Sequence, residues 1–382
     1  MIKIIAEASV PFLRGVAEQY ADIEYIDNKD ITSERIRTAD ALIVRSITKC
    51  TAELLEGSAV RFIATATAGS DHIDADYCSA HNIAWTNAPG CNAMGVAQYV
   101  CSCLSLLSLR HGIELKGKKI GIIGVGHVGQ LVTEIALALG MQPLLNDPPR
   151  LEQEGDNIKY HEYFTSLETI QREADIITLH VPLSKTGAYP TLGMVNDSFL
   201  TSCKKGLILI NACRGGVCCS ESLIKGKEDG TIAHLVLDCW EGEPHINAHL
   251  LEHTDIASPH IAGFSADGKH RGARMALLAI SDFFGLGASQ DLLIPKELEQ
   301  PQAPIALEQF PPHKAVLHAQ LISFNPEHTD QALRADISQF EFLRKHYNYP
   351  REMSAYTIEG GTAEDRRTLS RLGFQCKLET IA

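Results

Sequence analysis

Apolar and polar stretches alternate in short blocks through most of the 382-residue chain. Several blocks are apolar at consecutive positions rather than at every second one, among them the segments IKIIAEA, ALIVRS, KKIGIIGV, ADIITLHVPL and GLILINAC. Consecutive apolar positions are typical of strands that are buried on both faces of a parallel sheet. Helical segments follow several of these blocks, so the pattern predicts alternating strands and helices and hence an α/β fold.

A glycine-rich turn follows the apolar run of residues 120–125. Gly124, Gly126 and Gly129 form the pattern G-x-G-x-x-G between this predicted strand and the helical segment LVTEIALALG. In such a turn the first glycine permits a tight bend, the second lets the backbone approach a pyrophosphate, and the third lets the helix pack closely on the sheet. The turn therefore predicts a dinucleotide site, in which His127 would contact phosphate through its backbone.

A second apolar segment ends at Asp147, about twenty residues beyond the glycine turn. A carboxylate at this position would hydrogen-bond the diol of an adenosine ribose and repel the 2′-phosphate of NADP. We therefore expect NAD to be the cofactor. The alternative is a surface aspartate in a β-turn before Pro148 and Pro149, and in either case we expect a polar loop to follow.

The same pattern divides the chain into regions. A long apolar helix from about Met94 would lead into the dinucleotide domain, and a helix over residues 271–285 would complete the first domain. Five prolines among polar residues predict a linker before the C-terminal part. The expected regions are a substrate-binding domain over residues 1–93 and 258–285, an NAD-binding domain over 94–257, a linker over 286–315 and a separate C-terminal domain over 316–382.

Composition and charge exclude several classes of function. The chain is 45% hydrophobic and 21% charged, which is typical of soluble globular proteins. A net charge of -13 without a basic run argues against nucleic-acid and membrane partners, although a small anionic substrate would still need local cations. The start MIKIIAEASV does not resemble a signal peptide, and we expect no apolar run to reach the roughly 18 residues of a membrane span. We therefore expect a cytoplasmic protein.

The eleven cysteines do not form a recognisable framework. Their number is odd, and the close pairs Cys101/Cys103 and Cys218/Cys219 lack C-x-x-C spacing. In a large chain without a secretion signal, this arrangement favours reduced thiols over disulfides or a zinc site. We expect no bound metal.

Polar residues follow the predicted strands. Arg214 follows the strand GLILINAC, Glu243 lies in the turn after IAHLVLDC, and His260 follows the segment TDIASP. The carboxyl ends of parallel strands meet at one edge of a sheet, so we expect these side chains to line the binding crevice. In the smaller domain the loops Arg45–Ser46 and Thr67–Ser70 hold equivalent positions and are candidates for binding an anionic substrate.

These residue types match the oxidation of a 2-hydroxy acid, which needs a base, a cation for the carboxylate and a hydride acceptor. His260 would be the base, Arg214 would bind the carboxylate through two hydrogen bonds, and NAD would accept the hydride. Glu243 would orient the histidine and stabilise its charged form. Glu241, in the same turn, competes with Glu243 for this role.

The motifs occur in the order GVGHVG with Asp147, NACRGG, DCWEGEP and SPHIAG. In this respect the chain resembles the NAD-dependent D-isomer-specific 2-hydroxyacid dehydrogenases. The resemblance implies a Rossmann-type doubly wound parallel sheet domain that is inserted in a smaller flavodoxin-like α/β substrate domain. It also implies that Arg214, Glu243 and His260 are the catalytic arginine, glutamate and acid/base histidine.

Further segments are similar to a branch of this family that carries an additional C-terminal domain, notably TATAGSDHID, NAPGCNA, HIAGFSADGKHRGA and FLRKHYNYPREMSAY. The resemblance implies an α+β C-terminal dimerisation domain, a homodimer and a phosphorylated small-molecule 2-hydroxy acid as substrate. It also implies substrate contacts from Ser46, Thr67 and Phe264, although tyrosine is more usual at the last position. The implied cofactor contacts are His127, Val128, Asp147, Val181, Ala212, Cys213, Arg214, Asp238 and Gly263.

The resemblance thus implies NAD-dependent oxidation of a phosphorylated 2-hydroxy acid. One alternative is a sibling dehydrogenase that acts on 3-phosphoglycerate, glycerate or another 2-hydroxy acid. A second alternative, from a different class, is a non-catalytic NAD-sensing protein, because a fold does not determine a function.

Overall fold

A computed structural model describes residues 1–288 and 296–376. Residues 289–295, within the predicted linker, and residues 377–382, at the end of the predicted C-terminal domain, lie outside the described residues. The strands are β1 (Lys3–Glu7), β2 (Asp22–Ile26), β3 (Ala41–Val44), β4 (Phe62–Thr65), β5 (Ala84–Thr86), β6 (Lys119–Ile123), β7 (Gln142–Asn146), β8 (Ile176–Leu179), β9 (Leu207–Asn211), β10 (Ile232–Leu237), β11 (Ile256–Ala257), β12 (Ile305–Ala306), β13 (Thr357–Glu359) and β14 (Gln375–Cys376).

Helices alternate with these strands over most of the chain. The α-helices are α1 (Ala52–Leu55), α2 (Ala75–Ala80), α3 (Ala93–His111), α4 (His127–Ala138), α5 (Pro148–Glu154), α6 (Leu167–Glu173), α7 (Asp197–Thr201), α8 (Ser220–Glu228), α9 (Ala248–Glu252), α10 (Ala266–Phe284), α11 (Lys296–Glu299), α12 (Ala315–Ser323), α13 (Glu327–Ala335), α14 (Phe340–Lys345) and α15 (Ala363–Leu372). Short 3-10 turns lie between several of them.

The described residues form two compact units, each with its own parallel sheet. The first unit comprises residues 1–93 and the described part of 264–301, and the second comprises residues 94–263 and the described residues from Gln302 onwards. This α/β architecture, with parallel strands throughout, was predicted from the consecutive apolar positions.

The division differs from the predicted domains at two places. The chain returns to the first unit at Phe264 rather than at residue 258, because the backbone N–H groups of Ile261 and Ala262 donate to Asp238 and hold this segment in the second unit. The described residues from Gln302 onwards group with the second unit rather than forming a unit of their own, because Leu333 and Phe340 are buried in its core.

In the first unit the sheet has the order β2-β1-β3-β4-β5, with every pair parallel. Successive side chains alternate between its faces: Ile4 joins the core beneath α10, and Ile5 joins the core that contains Leu55 of α1. Both faces are therefore covered, which explains the consecutive apolar positions of the strands. Helix α10 approaches closely at Gly272, where a Cβ atom would lie 2.6 Å from the carbonyl oxygen of Ala66.

In the second unit the larger sheet has the order β11-β10-β9-β8-β6-β7, again with parallel pairs. Strand β6 has β7 on one side and β8 on the other, so the strand order reverses at this point. Ligands of such sheets bind where the order reverses, outside the carboxyl ends of the strands. The turns that follow β6 and β8 meet there, and the N–H of His180 donates to the carbonyl of Ile123 at 2.7 Å.

Helix α3 has the length and hydropathy of a membrane-spanning helix, contrary to the prediction that no apolar run reaches that length. However, 83% of its apolar window is buried inside the protein. Burial of this extent is typical of a core helix in a globular protein.

The C-terminal part of the second unit forms a small parallel sheet in the order β12-β13-β14 and four helices, α12 to α15. Helix α15 packs against α4, the helix that follows the glycine turn. Gln98 of α3 donates to the hydroxyl of Ser323 and to the carbonyl of Arg351, both at 3.2 Å, and accepts from the N–H of Met353 at 3.2 Å. A buried amide thus ties the C-terminal part to the core helix.

Two predictions about helices are wrong: the start of one helix and the absence of another. Helix α10 begins at Ala266 instead of residue 271, because the hydroxyl of Ser265 accepts a hydrogen bond from the N–H of Gly268 and caps the helix. The polar loop predicted after Asp147 is the helix α5, which the Asp147 carboxylate caps at its N-terminus. All eleven cysteines are free thiols, as the sequence predicted, and eight of them are buried.

Candidate active site

Each glycine of the turn after β6 has a separate structural role. Gly124 has φ +88, and a Cβ there would lie 2.6 Å from the backbone of His180. At Gly129 a Cβ would lie 2.1 Å from the carbonyl oxygen of Gly124. Neither constraint applies to Gly126, whose φ is -72 and whose Cβ would meet nothing within 4 Å. The fold itself therefore does not require glycine at position 126. A group that binds closely against the backbone would require it.

Asp147 lies directly beside this turn. Its carboxylate accepts a hydrogen bond from the N–H of Val125 at 2.8 Å and a longer one from the N–H of Arg150 at 3.3 Å. The guanidinium of Arg150 donates to the carbonyl of Val125 and forms an ion pair with Glu154. The structure thus places Asp147 half-buried at the glycine turn instead of in an isolated surface turn. Its contact with an adenosine ribose remains a prediction.

His180 adds a polar atom to the same edge of the sheet. Its Nε2 lies 3.0 Å from the hydroxyl of Thr178, whereas its buried Nδ1 has no hydrogen-bond partner among the described residues. Burial lowers the pKa of His180 to about 3, so the ring is neutral at physiological pH. An unpaired buried nitrogen is costly unless a bound group satisfies it. Together with the open space at Gly126, this atom fits a site for the dinucleotide.

The other predicted cofactor residues lie at the same edge. Val181 follows β8, Ala212 and Cys213 follow β9, Asp238 follows β10, and Gly263 is the last residue of this segment of the second unit. Their contacts with NAD remain predictions, and Val181, Ala212, Cys213 and Asp238 lie at the carboxyl ends of their strands, where ligands of such sheets bind.

His260 and Glu243 form a hydrogen-bonded pair. The Nδ1 atom of His260 lies 2.7 Å from Oε2 of Glu243, and Oε1 of Glu243 accepts from the N–H of Trp240 at 2.7 Å. Burial alone would raise the pKa of Glu243, but the hydrogen bond and positive charge of His260 and the Trp240 donor outweigh it and lower this pKa. Glu243 is therefore ionised at neutral pH and accepts a hydrogen bond from the Nδ1–H group of His260.

The backbone of His260 is in an uncommon conformation. Its φ is +55, in the left-handed region that non-glycine residues rarely adopt and that costs about 1 kcal/mol. Its N–H donates to the carbonyl oxygen of Asp238 at 2.8 Å, which holds the residue in place. Conformations of this kind cluster at functional sites, where surrounding contacts maintain them.

Asp238 organises the loop that carries His260. Its buried carboxylate accepts hydrogen bonds from the hydroxyl of Ser258 at 2.7 Å and from the N–H groups of Ile261 and Ala262 at 2.7 and 3.0 Å. The hydroxyl of Tyr99, on α3, lies 2.7 Å from that of Ser258. The sequence indicated only a cofactor contact for Asp238, whereas the structure shows that it also fixes the catalytic loop.

Arg214 stands on the turn that follows β9, next to the turn that carries Glu243. Its guanidinium donates to the carbonyl of Cys213 at 2.8 Å, and its own carbonyl accepts from the side chain of Asn211 at 3.1 Å. Gly215 permits the close approach of the two turns, because a Cβ there would lie 1.9 Å from the carbonyl oxygen of Trp240. Asn211 also donates to the carbonyl of Cys239 at 3.4 Å and so links both turns.

Sequence reasoning missed Asn211, Ser258, Tyr99 and Trp240 as parts of this arrangement. Three of them lie within motifs that were singled out for another residue, and their side chains bind backbone groups, a hydroxyl or the carboxylate of Asp238. Tyr99 gave no signal beyond an apolar helix. The structure also separates the two competing glutamates, because Glu241 accepts from the N–H and hydroxyl of Ser220 at 3.2 and 2.8 Å and caps α8.

The predicted substrate residues lie in the first unit. Ser46 is exposed in the loop after β3, and the buried carboxylate of Glu7 holds this loop by accepting from the N–H of Arg45 and the hydroxyl of Thr48. After β4, the hydroxyl of Thr67 lies 2.7 Å from that of Thr65 and donates to the carbonyl of Gly69. The Phe264 ring lies under the ammonium group of Lys269, at 3.6 Å.

Three groups of side chains have metal-ligating atoms near one another. In the first group, Cys239, Glu243 and His260, the glutamate and histidine hydrogen-bond each other, and burial raises the pKa of the Cys239 thiol well above its usual range. A protonated thiol is a poor metal ligand. The second group is His111, His234 and Asp255, where the ammonium of Lys227 lies 2.6 Å from Asp255. The third, Glu228, His249 and His253, is at the surface.

Two parts of the chain match known protein families. Residues 106–262 match the D-isomer specific 2-hydroxyacid dehydrogenase, NAD binding domain. Residues 298–373 match a family described as Domain of unknown function (DUF3410). The first match contains the glycine turn, Arg214, Glu243 and His260, and the second covers most of the C-terminal part.

Curated relatives are similar over nearly the whole chain. Erythronate-4-phosphate dehydrogenase of Porphyromonas gingivalis is 50% identical over 375 residues, which are 98% of this chain and 100% of that protein. Erythronate-4-phosphate dehydrogenase of Yersinia enterocolitica is 39% identical, over 99% of this chain and 100% of that protein. Among solved structures, the NAD+-bound 3-phosphoglycerate dehydrogenase of Entamoeba histolytica is 27% identical with a TM-score of 0.62, over 77% of this chain and 99% of that one.

Proposed function

The chain belongs to the erythronate-4-phosphate dehydrogenases, a branch of the D-isomer specific 2-hydroxyacid dehydrogenases, and on this premise we propose that it oxidises 4-phospho-D-erythronate. The product is (R)-3-hydroxy-2-oxo-4-phosphobutanoate, the cofactor is NAD, and the reaction serves the biosynthesis of pyridoxal 5′-phosphate. The observation that carries the proposal is the His260–Glu243 pair, with 2.7 Å between Nδ1 and Oε2, in the unit that carries the dinucleotide turn.

The pair determines which nitrogen of His260 reacts. Because the ionised carboxylate of Glu243 can only accept a hydrogen bond, Nδ1 of His260 carries the ring proton and Nε2 has a free lone pair. Nε2 takes the proton of the C2 hydroxyl, and Glu243 stabilises the imidazolium that forms. NAD, when bound, supplies the acceptor for the hydride from C2.

Arg214 has the remaining role in this proposal. Its guanidinium binds the substrate carboxylate with two hydrogen bonds and polarises the developing carbonyl oxygen at C2. Asn211 and the close contact at Gly215 hold the turn that carries Arg214 against the turn that carries Glu243. Ser46, Thr67 and Phe264 are the further substrate contacts in this proposal.

A substrate panel tests this function. Purified protein and NAD are mixed with 4-phosphoerythronate, 3-phosphoglycerate, glycerate or unphosphorylated erythronate, and NADH absorbance is followed in single-turnover amounts so that slow product release cannot hide the chemistry. We expect NADH with 4-phosphoerythronate alone. NADH formed only with another acid would show that the protein is a sibling dehydrogenase with the same mechanism. NAD binding without NADH formation would favour the NAD-sensing alternative.

We further propose that the protein is a cytoplasmic homodimer that assembles through its C-terminal part. Ile322 of α12 and Phe342 of α14 support this assembly, because they are 53% and 56% exposed although both are large and apolar. The molar mass in solution, measured by light scattering, tests the proposal. Twice the chain mass is expected, and a shift towards the monomer is expected for Ile322→Glu.

A further inference from the structure

The C-terminal part binds the strand that leads to His260. Strand β11 lies at the edge of the larger sheet and pairs only with β10 among the described strands, so one of its sides needs another partner. The carboxylate of Asp330, on α13, supplies it by accepting from the N–H of Ala257 at 2.8 Å. Asp330 is only 7% exposed. His260 follows Ala257 by three residues.

Asp330 is itself held in place. The Nε atom of Arg334, one turn further along α13, donates to both carboxylate oxygens of Asp330 at 3.0 Å. The other guanidinium nitrogens of Arg334 donate to the carbonyls of Leu251 and Thr254, at the end of α9. Two side chains of the C-terminal part thus satisfy backbone groups on the chain segment that precedes His260.

Apolar residues of the C-terminal part also pack near the turn that carries Glu243, the partner of His260. Leu333 of α13 and Phe340 of α14 are fully buried in the same core cluster as Trp240. The backbone N–H of Trp240 donates to Glu243, and its indole N–H donates to the carbonyl of Ser258 at 2.9 Å. Trp240 therefore connects the Glu243 turn with the His260 loop, and the C-terminal part lies behind it.

A positive charge from the C-terminal part also acts on Glu243. The groups that lower the pKa of the Glu243 carboxylate are His260, the Trp240 N–H and Arg344 of α14, and Glu243 in turn raises the pKa of the Cys239 thiol. After burial and the contributions of His260 and Trp240, the charge of Arg344 further lowers the pKa of Glu243. It favours the ionised state that the proposed mechanism needs.

We infer that the segment α13–α14 is a positioning element of the acid–base site, in which Asp330 holds β11 and thereby the His260 loop, and Phe340 packs in the same core as Trp240. The inference rests on the proposed function. It gives a role to the region that matches a family of unknown function, because this region completes the framework of the proposed catalytic pair as well as packing on its unit.

Replacement of Asp330 tests its contact with β11. Asp330→Ala leaves the N–H of Ala257 unpaired, so kcat is expected to fall by about 10-fold while the Kd of NAD changes less than about 2-fold. Asp330→Asn retains an acceptor and is expected to restore most of kcat. The control is Glu327→Ala on the same helix, which removes only a surface ion pair with Arg110 and is expected to leave kcat unchanged.

A readout without turnover separates this inference from the proposed function. In proton NMR spectra the Nδ1–H of His260 is expected downfield and is identified by its loss in Glu243→Gln. This signal is expected to weaken in Asp330→Ala and to persist in Glu327→Ala. If the wild-type protein oxidises none of the acids, the proposed function fails while this signal still decides the inference. A signal and kcat that are both unchanged in Asp330→Ala would overturn it.

Discussion

His260 carries both the proposed chemistry and an unusual backbone. Its motif in the sequence indicated the side chain and its role, but nothing in the motif indicated a φ of +55. That conformation depends on Asp238. Its carbonyl accepts from the N–H of His260, and its carboxylate accepts from the N–H groups of the next two residues. Asp238 lies more than twenty residues before this loop in the sequence. Sequence spacing predicts that such residues meet at a sheet edge, but it cannot predict the hydrogen bonds that orient them.

The backbone conformation determines how His260 is best tested. Asparagine tolerates the left-handed region better than alanine does, so His260→Asn removes the base with little added strain. The single-turnover rate of NADH formation is expected to fall by at least about 10²-fold, with NAD still bound. A rate within about 2-fold of the wild type would remove His260 from the role of base.

The two glutamates of one turn provide a matched pair of variants. Glu243→Gln removes the negative charge that stabilises the imidazolium, and kcat is expected to fall by about 10-fold or more. Glu241→Gln changes a residue that caps α8 and is expected to keep kcat within about 2-fold. Equal losses in both variants would show that the effect comes from the turn as a whole.

At the scale of secondary structure, the strand–turn–helix around β6 and α4 was predicted well, because local patterns determine it. Helix α5 was missed, although Asp147 followed by two prolines is a recognisable helix start. Asp147 was interpreted as a ribose ligand or, alternatively, as a surface residue of a β-turn, whereas one residue can both cap a helix and face a ligand. The packing of α13 on β11 gave no signal in the sequence, since it joins residues that are 73 positions apart.

The three glycines of the β6–α4 turn should respond differently to substitution. Gly126→Ala places a methyl group in open space, so the melting temperature is expected to change little while the affinity for NAD falls by about 10-fold. Gly129→Ala would place the same group 2.1 Å from the Gly124 carbonyl and is expected to destabilise the fold. NAD titrations and melting curves of both variants check this, and unchanged NAD affinity in Gly126→Ala would contradict it.

Asp255 makes the packing of β10 against β11 dependent on pH. Burial opposes its charge, but hydrogen bonds from His234, Lys227 and the N–H of Leu235 outweigh burial and lower the pKa of Asp255 to about 2. A carboxyl with a lowered pKa stabilises the fold above its unfolded pKa, and this contribution is lost as the pH falls through the folded pKa. Asp255→Asn is expected to lower the free energy of unfolding by about 2 kcal/mol at pH 7.

The measurement for Asp255 is denaturant unfolding of the wild-type and Asp255→Asn proteins over a pH series. The difference between them is expected to remain constant from pH 7 down to about pH 4 and to shrink between about pH 4 and about pH 2. A difference that does not depend on pH would show that packing, rather than ionisation, causes the loss.

At the scale of the whole molecule, the sequence predicted two parallel α/β regions and a further C-terminal part. It did not predict that the described C-terminal residues share a core with the dinucleotide unit. The prolines and polar residues after residue 285 indicated a linker, but Ile305 and Leu307 within that stretch are buried. Local composition indicates where the chain lacks regular structure. The boundary of a unit instead depends on which distant residues are buried together, such as Phe340 and Trp240.

The central claim is that this chain transfers hydride from C2 of 4-phosphoerythronate to NAD. A single-turnover reaction with substrate deuterated at C2 tests it most directly, with the dinucleotide product analysed by mass spectrometry. We predict NADH that carries one deuterium, formed more slowly than with unlabelled substrate, and no NADH formation from 3-phosphoglycerate. Unlabelled NADH, or none at all from a protein that is shown to bind NAD, would contradict it.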